Sequence, residues 1–247
     1  MANWDVLTQL VDHFGDRGYT AESSAYIRDK VGGADRIMVL GAGNGKTLLP
    51  LRELNEDIIV VDASWDMSQL CMQANKFVNV TAWGHQLPLK AEKFDLVVAQ
   101  TGIIDFVEDS VAVEILREFH RICKPGGYVF IGHLPSPAGS FPYYYEKLFG
   151  NRSYRRFILR VDNWRQRVGL LDNLLDITGK IHPHNWFKQI RRDAEQRSLS
   201  FASFMEAMPG FNIARSRDEV GALLQRSGWH TIDYWLTDTL ILADARK

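Results

Sequence analysis

Residues 36–62 carry the sequence RIMVLGAGNGKTLLPLRELNEDIIVVD, which decides the fold. An apolar run, a glycine-rich turn, a helical stretch and a second apolar run follow one another, and Asp62 closes the second run. This order is typical of a parallel α/β sheet, in which ligands bind at the carboxyl ends of the strands. We therefore predict a site for a nucleoside-bearing cofactor between the glycine turn and Asp62.

The glycines of the turn follow the pattern G-x-G-x-G, at Gly41, Gly43 and Gly45. The dinucleotide fingerprint G-x-G-x-x-G requires its third glycine at Lys46, where a side chain would obstruct close packing of helix on strand. The phosphate loop G-x-x-x-x-G-K-[ST] requires its first glycine at Leu40, so this loop is one residue short of cradling a triphosphate. Neither phosphate-binding motif is complete.

Asp62 narrows the choice of cofactor. An acid after the second strand accepts hydrogen bonds from both hydroxyls of a ribose, which NAD and S-adenosylmethionine share. The G-x-G-x-G turn suits S-adenosylmethionine better, because this cofactor is smaller and has no pyrophosphate. The alternative is an ordinary tight turn beside a structural aspartate, and the combination of the glycines with Asp62 argues against it.

The composition is that of a soluble globular protein, with 247 residues, 46% hydrophobic and 24% charged. No apolar run is long enough to span a membrane, and the acidic start excludes a signal peptide. Cys71 and Cys123 lack metal-ligand spacing, so a reducing cytoplasm is expected. The formal net charge of −1 gives no general attraction to nucleic acid, so no nucleic-acid partner is expected. Nothing indicates an oligomeric state.

Hydrophobic periodicity predicts alternating helices and strands. The expected fold is α/β: a Rossmann-like, mostly parallel seven-stranded sheet with an antiparallel last strand, helices on both faces and a helical lid insertion. The predicted strands are 36–40, 57–61, 78–82, 94–99, 128–132, 230–236 and 239–243; the predicted helices are 4–14, 21–31, 45–54, 65–75, 108–122 and 217–227.

Several segments resemble one family when taken in order. They are VLGAGNG (39–45), VVDASWDM (60–67), GHQLPL (84–89), FDLVVAQ (94–100) and EILREFHRICKPGGYVFIG (114–132). In these segments the chain resembles class I S-adenosylmethionine-dependent methyltransferases, of the small-molecule branch that includes the ubiquinone/menaquinone methyltransferases. The resemblance implies that S-adenosylmethionine is the cofactor.

The resemblance also implies roles for individual residues. The glycine turn would approach the methionine part of the cofactor, Asp62 would bind the ribose, and Ala63, Ser64 and Met67 would line the adenine. His85, Gln86 and Leu87 would close the other side of the adenine, although Met67 and Leu87 could equally be core residues. The implied cofactor-binding residues are Gly41, Ala42, Gly43, Asn44, Gly45, Asp62, Ala63, Ser64, Met67, His85, Gln86, Leu87, Gln100, Thr101 and Gly102; the last three follow the fourth strand, beside the reacting methyl group.

Two positions depart from the family pattern. Val39 stands where the family has an acid that holds the ammonium group of the cofactor, and residues 83–85 lack the Asp that usually accepts from the adenine. An ammonium group without its carboxylate loses its proton more easily and becomes a nucleophile. Cyclisation of the cofactor's aminobutyryl chain is therefore an alternative to methyl transfer, and a catalytically silent scaffold is a second alternative.

Residues 134–210 form a long insertion between the cofactor-binding core (1–133) and a final helix and hairpin (211–247). The insertion is rich in aromatic residues, and we predict that Tyr143 or Tyr144 faces the sulfonium or the substrate. Residues 151–200 contain eleven Lys and Arg against five Asp and Glu. This excess favours an anionic small-molecule substrate, although a solvated helix face is the alternative.

His133 is the best candidate for a general base, because it ends the fifth strand at the open edge of the sheet. A histidine bonded locally in a loop is the alternative. His182 and His184 lack a completing carboxylate or cysteine, so no metal site is predicted. The sequence thus predicts a methyltransferase that acts on a small, aromatic or anionic metabolite.

Overall fold

The computed structural model describes residues 21–31, 33–45, 48, 57–99, 103–133, 215–236 and 241–247. The predicted helix 4–14, most of the predicted helix 45–54 and the insertion 134–210 lie outside the described residues. Within the described part of the chain, no helix is long and apolar enough to cross a membrane.

The described elements alternate between strand and helix along the chain. The strands are β1 (Ile37–Leu40), β2 (Ile58–Asp62), β3 (Val78–Thr81), β4 (Phe94–Ala99), β5 (Cys123–His133), β6 (His230–Leu236) and β7 (Ile241–Arg246). The helices are α1 (Ala21–Val31), α2 (Trp65–Asn75), α3 (Asp109–Ile122) and α4 (Arg217–Arg226), with a short 3₁₀ helix at Ile104–Phe106.

The seven strands form one sheet in the order β3-β2-β1-β4-β5-β7-β6. Strand β1 pairs in parallel with both β2 and β4, whereas β7 runs antiparallel to β5 and β6. The predicted mostly parallel sheet with an antiparallel last strand is therefore confirmed. The chain leaves β1 towards β2 and β3 and then returns to β4 on its other side. The carboxyl ends of β1 and β4 consequently flank the crevice in which such sheets bind ligands.

The strands bury side chains on both faces of the sheet. Met38 and Leu40 belong to a cluster that includes residues of α3 and α4, whereas Ile37 and Val39 belong to a second cluster beside α1. The alternation along β1 explains its continuous apolar sequence, because a central parallel strand is covered on both sides. Val39 is fully buried in the second cluster.

Polar contacts connect helix α1 to strands β6 and β7. The hydroxyl of Tyr26 donates to Asp244 Oδ2 at 2.6 Å, and Lys30 Nζ pairs with Asp233 Oδ2 at 2.5 Å. Burial raises the pKa of the Asp244 carboxyl, and the hydrogen bond from Tyr26 works in the opposite direction. Ile27 is fully buried and Tyr26 is half-buried, so the helix faces the core with these two side chains.

Two strands differ from their predicted bounds by more than one residue. Residues 124–127 (KPGG) were expected to separate α3 from a strand at 128–132, but β5 already begins at Cys123, which pairs with Phe94. The register of the pairing between β4 and β5 shifts between Phe94 and Leu96, and Gly126 has a positive φ of 78°. Both features accommodate the proline and the glycines within β5. The last strand lies at Ile241–Arg246 rather than 239–243.

Candidate cofactor site

The glycine turn leaves β1 in a conformation that favours glycine. Gly41, Gly43 and Gly45 have φ values of 74°, 55° and 79°, in the left-handed region. The Gly41 N–H donates to Val61 O at 2.8 Å, and the Gly45 N–H donates to Ala42 O at 2.9 Å. The spacing of the glycines therefore reflects a backbone requirement, as the G-x-G-x-G pattern predicted.

The three glycines differ in the space around them. A Cβ on Gly41 would lie 2.1 Å from Ile103 Cδ1, and a Cβ on Gly45 would lie 2.1 Å from Asn75 Nδ2. At Gly43, no atom of the described residues lies within 4 Å of that position. The turn is thus packed against the protein at both ends, and its middle is the part where a ligand can approach the backbone.

Asp62 connects the glycine turn to the next helix. Its Oδ2 accepts from the Gly43 N–H at 3.2 Å, and its Oδ1 accepts from the Ser64 N–H at 3.0 Å. These bonds fix the orientation of the half-buried carboxylate. An ionised carboxylate offers about four acceptor positions, so a ribose can be bound as well. Ribose binding by Asp62 stays a prediction.

Helix α2 begins directly after Asp62 and packs beneath the glycine turn. Ser64 caps the helix, because its Oγ accepts from the Met67 N–H at 3.2 Å. Ser64 and Met67 are buried, and Ala63 is half-buried. The burial of Met67 is compatible with both of its predicted roles, adenine lining and core packing. Burial raises the pKa of the nearby Cys71 thiol to about 11, which makes it a poor nucleophile.

The segment 84–89 crosses the carboxyl end of β1. Gly84 lies so close to Leu40 that a Cβ there would be 2.5 Å from Leu40 Cδ2. His85 and Gln86 are exposed, whereas Leu87 is buried. Polar groups at the first two positions and an apolar group at the third agree with the predicted contact with an adenine edge and face.

Two residues of α3 hold this segment in place. Glu118 Oε2 accepts from the Leu87 N–H at 2.9 Å, while the Arg121 guanidinium donates to Leu89 O at 2.8 Å and to Leu87 O at 3.1 Å. Arg121 Nε also donates to Glu118 Oε1 at 2.7 Å, and this bond lowers the pKa of the Glu118 carboxyl. Both residues lie within the motif at 114–132, which implied no role for them. Their i,i+3 spacing on a helix was the available signal.

The segment after β4 contacts the glycine turn at Gly41. Ile104 and Asp105 are fully buried, and Ile103 packs on Gly41. The buried Arg215 donates to the Ile104 and Val107 carbonyls and to the Asp109 carboxylate. Sequence reasoning missed Arg215, because nothing near it in the chain indicates what it binds.

The remaining predicted residues are only partly described. His133 is the last residue of β5, and its backbone pairs with Ile241. Its role as a base stays a prediction. Among the described residues, no group of three or more His, Cys, Asp or Glu side chains could hold a metal ion. Gln100, Thr101, Gly102, Tyr143 and Tyr144 lie outside the described residues.

Comparison with known proteins finds matches over the part of the chain that contains the candidate site. Residues 38–131, which include the glycine turn, Asp62, α2, the 84–89 segment and α3, match the methyltransferase domain family. This part of the chain is therefore similar to methyltransferase domains. The resemblance that the motifs indicated is therefore confirmed.

Curated relatives match the same part of the chain. Demethylmenaquinone methyltransferase of Streptomyces griseus is 31% identical over 105 residues, which cover 42% of this chain and 44% of that protein. The ubiquinone/menaquinone biosynthesis C-methyltransferase of Syntrophotalea carbinolica is 28% identical over 142 residues, covering 54% and 57%. The chain thus spans about half the length of the curated relatives it matches.

Solved structures share the fold of the methyltransferase domain. A S-adenosylmethionine-dependent methyltransferase of Thermotoga maritima, described as a possible histamine N-methyltransferase, aligns over 99% of both chains with a TM-score of 0.57 and 17% identity. Human N-acetylserotonin methyltransferase, solved with its cofactor, aligns over 92% of this chain and 51% of its own with a TM-score of 0.56 and 14% identity. These residues fit S-adenosylmethionine. The described residues leave space beside the Gly43 backbone for a ligand, and the Asp62 carboxylate can accept hydrogen bonds from a ribose.

Proposed function

We propose that the protein is a S-adenosylmethionine-dependent methyltransferase that acts on a small, anionic or aromatic metabolite by S_N2 transfer. The observation that carries the proposal is Asp62, whose two carboxylate oxygens accept from Gly43 and Ser64. This arrangement supports a role for Asp62 as a ribose acceptor beside Gly43. The curated relatives support the reaction class, because their names describe methyl transfer in quinone biosynthesis.

The bound cofactor supplies a methyl group already activated by its sulfonium, so the chain has mainly to align the reactants and exclude water. Asp62 accepts the ribose hydroxyls, and the glycine turn lets the backbone approach the ligand. Met67 and Leu87, which are proposed to contact the adenine, are both buried, and apolar side chains at these positions exclude solvent. The segments that carry them begin directly after β2 and β3, so the sheet positions both.

We further propose that His133 takes the proton when the acceptor is an oxygen or carbon atom. Its place at the end of β5, on the edge of the sheet where β4 also ends, supports this role. Tyr143 and Tyr144 are proposed to direct an aromatic face at the sulfonium. The Lys- and Arg-rich residues 151–200 support an anionic acceptor.

A second candidate function follows from Val39. This residue is fully buried among apolar side chains, so β1 offers no carboxylate at the point where the family resemblance places one for the cofactor's ammonium group. In the alternative reaction, S-adenosylmethionine is the substrate. Its amine loses a proton and attacks its own γ-carbon, a C–N bond forms, the C–S bond breaks and methylthioadenosine leaves.

The first test is cofactor binding measured by titration calorimetry with S-adenosylmethionine and S-adenosylhomocysteine. We expect Asp62→Asn to weaken binding by roughly tenfold or more, because an amide has one acceptor oxygen where the carboxylate has two. Asp66→Asn is the matched control, since Asp66 is an exposed acid in the first turn of α2. Equal affinity of the Asp62 variant and the native protein would contradict the assigned role.

The second test separates the candidate functions. The purified protein is incubated with S-adenosylmethionine alone, and the products are followed by mass spectrometry. Intact, bound cofactor supports methyl transfer, and steady release of methylthioadenosine supports cyclisation. Failure of the native protein to bind the cofactor would reject both reactions and favour the catalytically silent scaffold.

A further inference from the structure

Arg215 is a buried cation whose hydrogen bonds converge on one short segment. Its Nε donates to Asp109 Oδ1 at 3.0 Å, and its Nη2 donates to Val107 O at 2.7 Å and to Asp109 Oδ1 at 2.7 Å. Its Nη1 donates to the Ile104 carbonyl. The Arg215 side chain is 1% exposed, so these bonds replace the water that a guanidinium would otherwise bind.

The segment 103–109 depends on these contacts for its conformation. The 3₁₀ helix Ile104–Phe106 has no side-chain cap, and Arg215 binds the carbonyls of Ile104 and Val107 at its two ends. The backbone beside Arg215 is itself held by a capping box at the start of α4, in which Ser216 and Glu219 bond to each other's N–H groups. Arg215 therefore attaches the segment to the start of a regular helix.

The same segment touches the glycine turn. Ile103 packs on Gly41 so closely that a Cβ on Gly41 would lie 2.1 Å from Ile103 Cδ1. Gly41 in turn donates to Val61 O, one residue before Asp62. A continuous set of contacts thus runs from the Arg215 guanidinium, through the segment 103–109, to the part of the turn proposed to approach the cofactor.

We propose that Arg215 is a positioning residue for cofactor binding. It holds the segment 103–109 so that Ile103 rests on Gly41 and the glycine turn keeps its ligand-accepting conformation. Arg215 does not itself touch the cofactor. The inference rests on the proposed function, because it assigns Arg215 an effect on the affinity of the same site.

The test compares Arg215→Met and Arg215→Lys with Arg217→Met, an exposed arginine two residues away that serves as the matched control. Two quantities are measured: the affinity for S-adenosylhomocysteine by calorimetry and the hydrogen exchange of the amides in 103–109. We expect Arg215→Met to weaken binding by about tenfold or more and to accelerate exchange in that segment. Arg215→Lys should fall between, because a lysine keeps the charge but not the planar set of donors.

A further variant tests the path through Ile103. If the effect travels through this side chain, Ile103→Ala also weakens binding, and the double variant with Arg215→Met loses less than the product of the two single effects. If the losses of affinity in the two single variants multiply in the double variant, the proposed path through Ile103 is overturned.

The results distinguish a positioning role from a structural one. Unchanged affinity in a folded Arg215→Met variant overturns the inference, and so does faster exchange without loss of affinity. If that variant does not fold, Arg215→Lys decides by the same criteria. A native protein that binds no S-adenosylhomocysteine would reject the proposed function itself, whereas native binding with unchanged variants rejects only the role of Arg215.

Discussion

Two arginines hold two segments of the cofactor site with the same set of contacts, yet they come from different places in the chain. Arg121 binds the carbonyls of Leu87 and Leu89 and pairs with Glu118, three residues earlier on the same helix. Arg215 binds the carbonyls of Ile104 and Val107 and pairs with Asp109, which is 106 residues away. Each arginine thus joins two backbone carbonyls to one carboxylate.

The difference lies in burial. The Arg121 side chain is 37% exposed, whereas that of Arg215 is 1% exposed. Water can replace part of the Arg121 contacts if they are lost. It has little access to the Arg215 guanidinium, whose partner Asp109 is itself 62% exposed. A buried hydrogen-bonded cation matters more when removed, because the groups left behind pay their full desolvation penalty. The contacts of Arg215 should therefore contribute more to the free energy of unfolding than the equivalent contacts of Arg121.

The largest effect is expected for Arg215→Met. Removal of the guanidinium leaves the carbonyls of Ile104 and Val107 without these donors, so we expect the free energy of unfolding to fall by about 2–4 kcal/mol. Urea denaturation followed by circular dichroism measures this loss. If the free energy of unfolding fell no further than in the Arg121→Met variant, burial would not explain a difference between the two arginines.

A smaller effect is expected for Arg121→Met. Its half-exposed contacts should contribute about 1–2 kcal/mol to the free energy of unfolding, measured by the same urea titration. Because the segment 84–89 loses its anchor, cofactor affinity should fall as well, and calorimetry with S-adenosylhomocysteine measures that change. Full retention of affinity would show that Glu118 alone, through its bond to the Leu87 N–H, positions the segment.

The pH dependence of stability sharpens the account of the Arg121 anchor. Its hydrogen bond lowers the pKa of Glu118 below the ordinary 4.5. The unfolded chain therefore binds this proton more readily, and the stabilisation is present above about pH 4.5 and lost as the pH falls through the lowered pKa. Urea midpoints between pH 7 and pH 3 should show that Glu118→Gln is less stable than the native protein at pH 7. We expect that gap to narrow in acid. A constant gap would exclude titration of Glu118 as its cause.

The smallest effect is expected for Arg217→Met. Arg217 is 55% exposed and lies 3.7 Å from Asp218, so its ion pair is weak. Its guanidinium also lies over the Tyr234 ring at 5.1 Å. We expect the free energy of unfolding, measured by urea titration, to stay within about 0.5 kcal/mol of the native value. A loss comparable to that of Arg215→Met would mean that the position in the chain, rather than burial, determines the effect.

Several elements were predicted from the sequence to the residue because their patterns are local. Helix α2 and strands β4 and β6 have the predicted bounds, 65–75, 94–99 and 230–236. Strand β5 was predicted too short, since its proline and glycines are typical of a turn. Only the pairing of Cys123 with Phe94 places the start of the strand before these residues.

The sequence by itself determined the glycine turn, the acid at the end of β2 and the helix that follows. These features lie in one stretch of the chain, residues 41–75, in which the hydrogen bond from Gly43 to Asp62 spans only 19 residues. The tertiary structure alone decided which side chains hold the surrounding segments. Glu118 meets Leu87 across 31 residues and Arg215 meets Asp109 across 106. Such pairs form only where the packing of helices on the sheet brings distant parts of the chain together, and no local pattern specifies them.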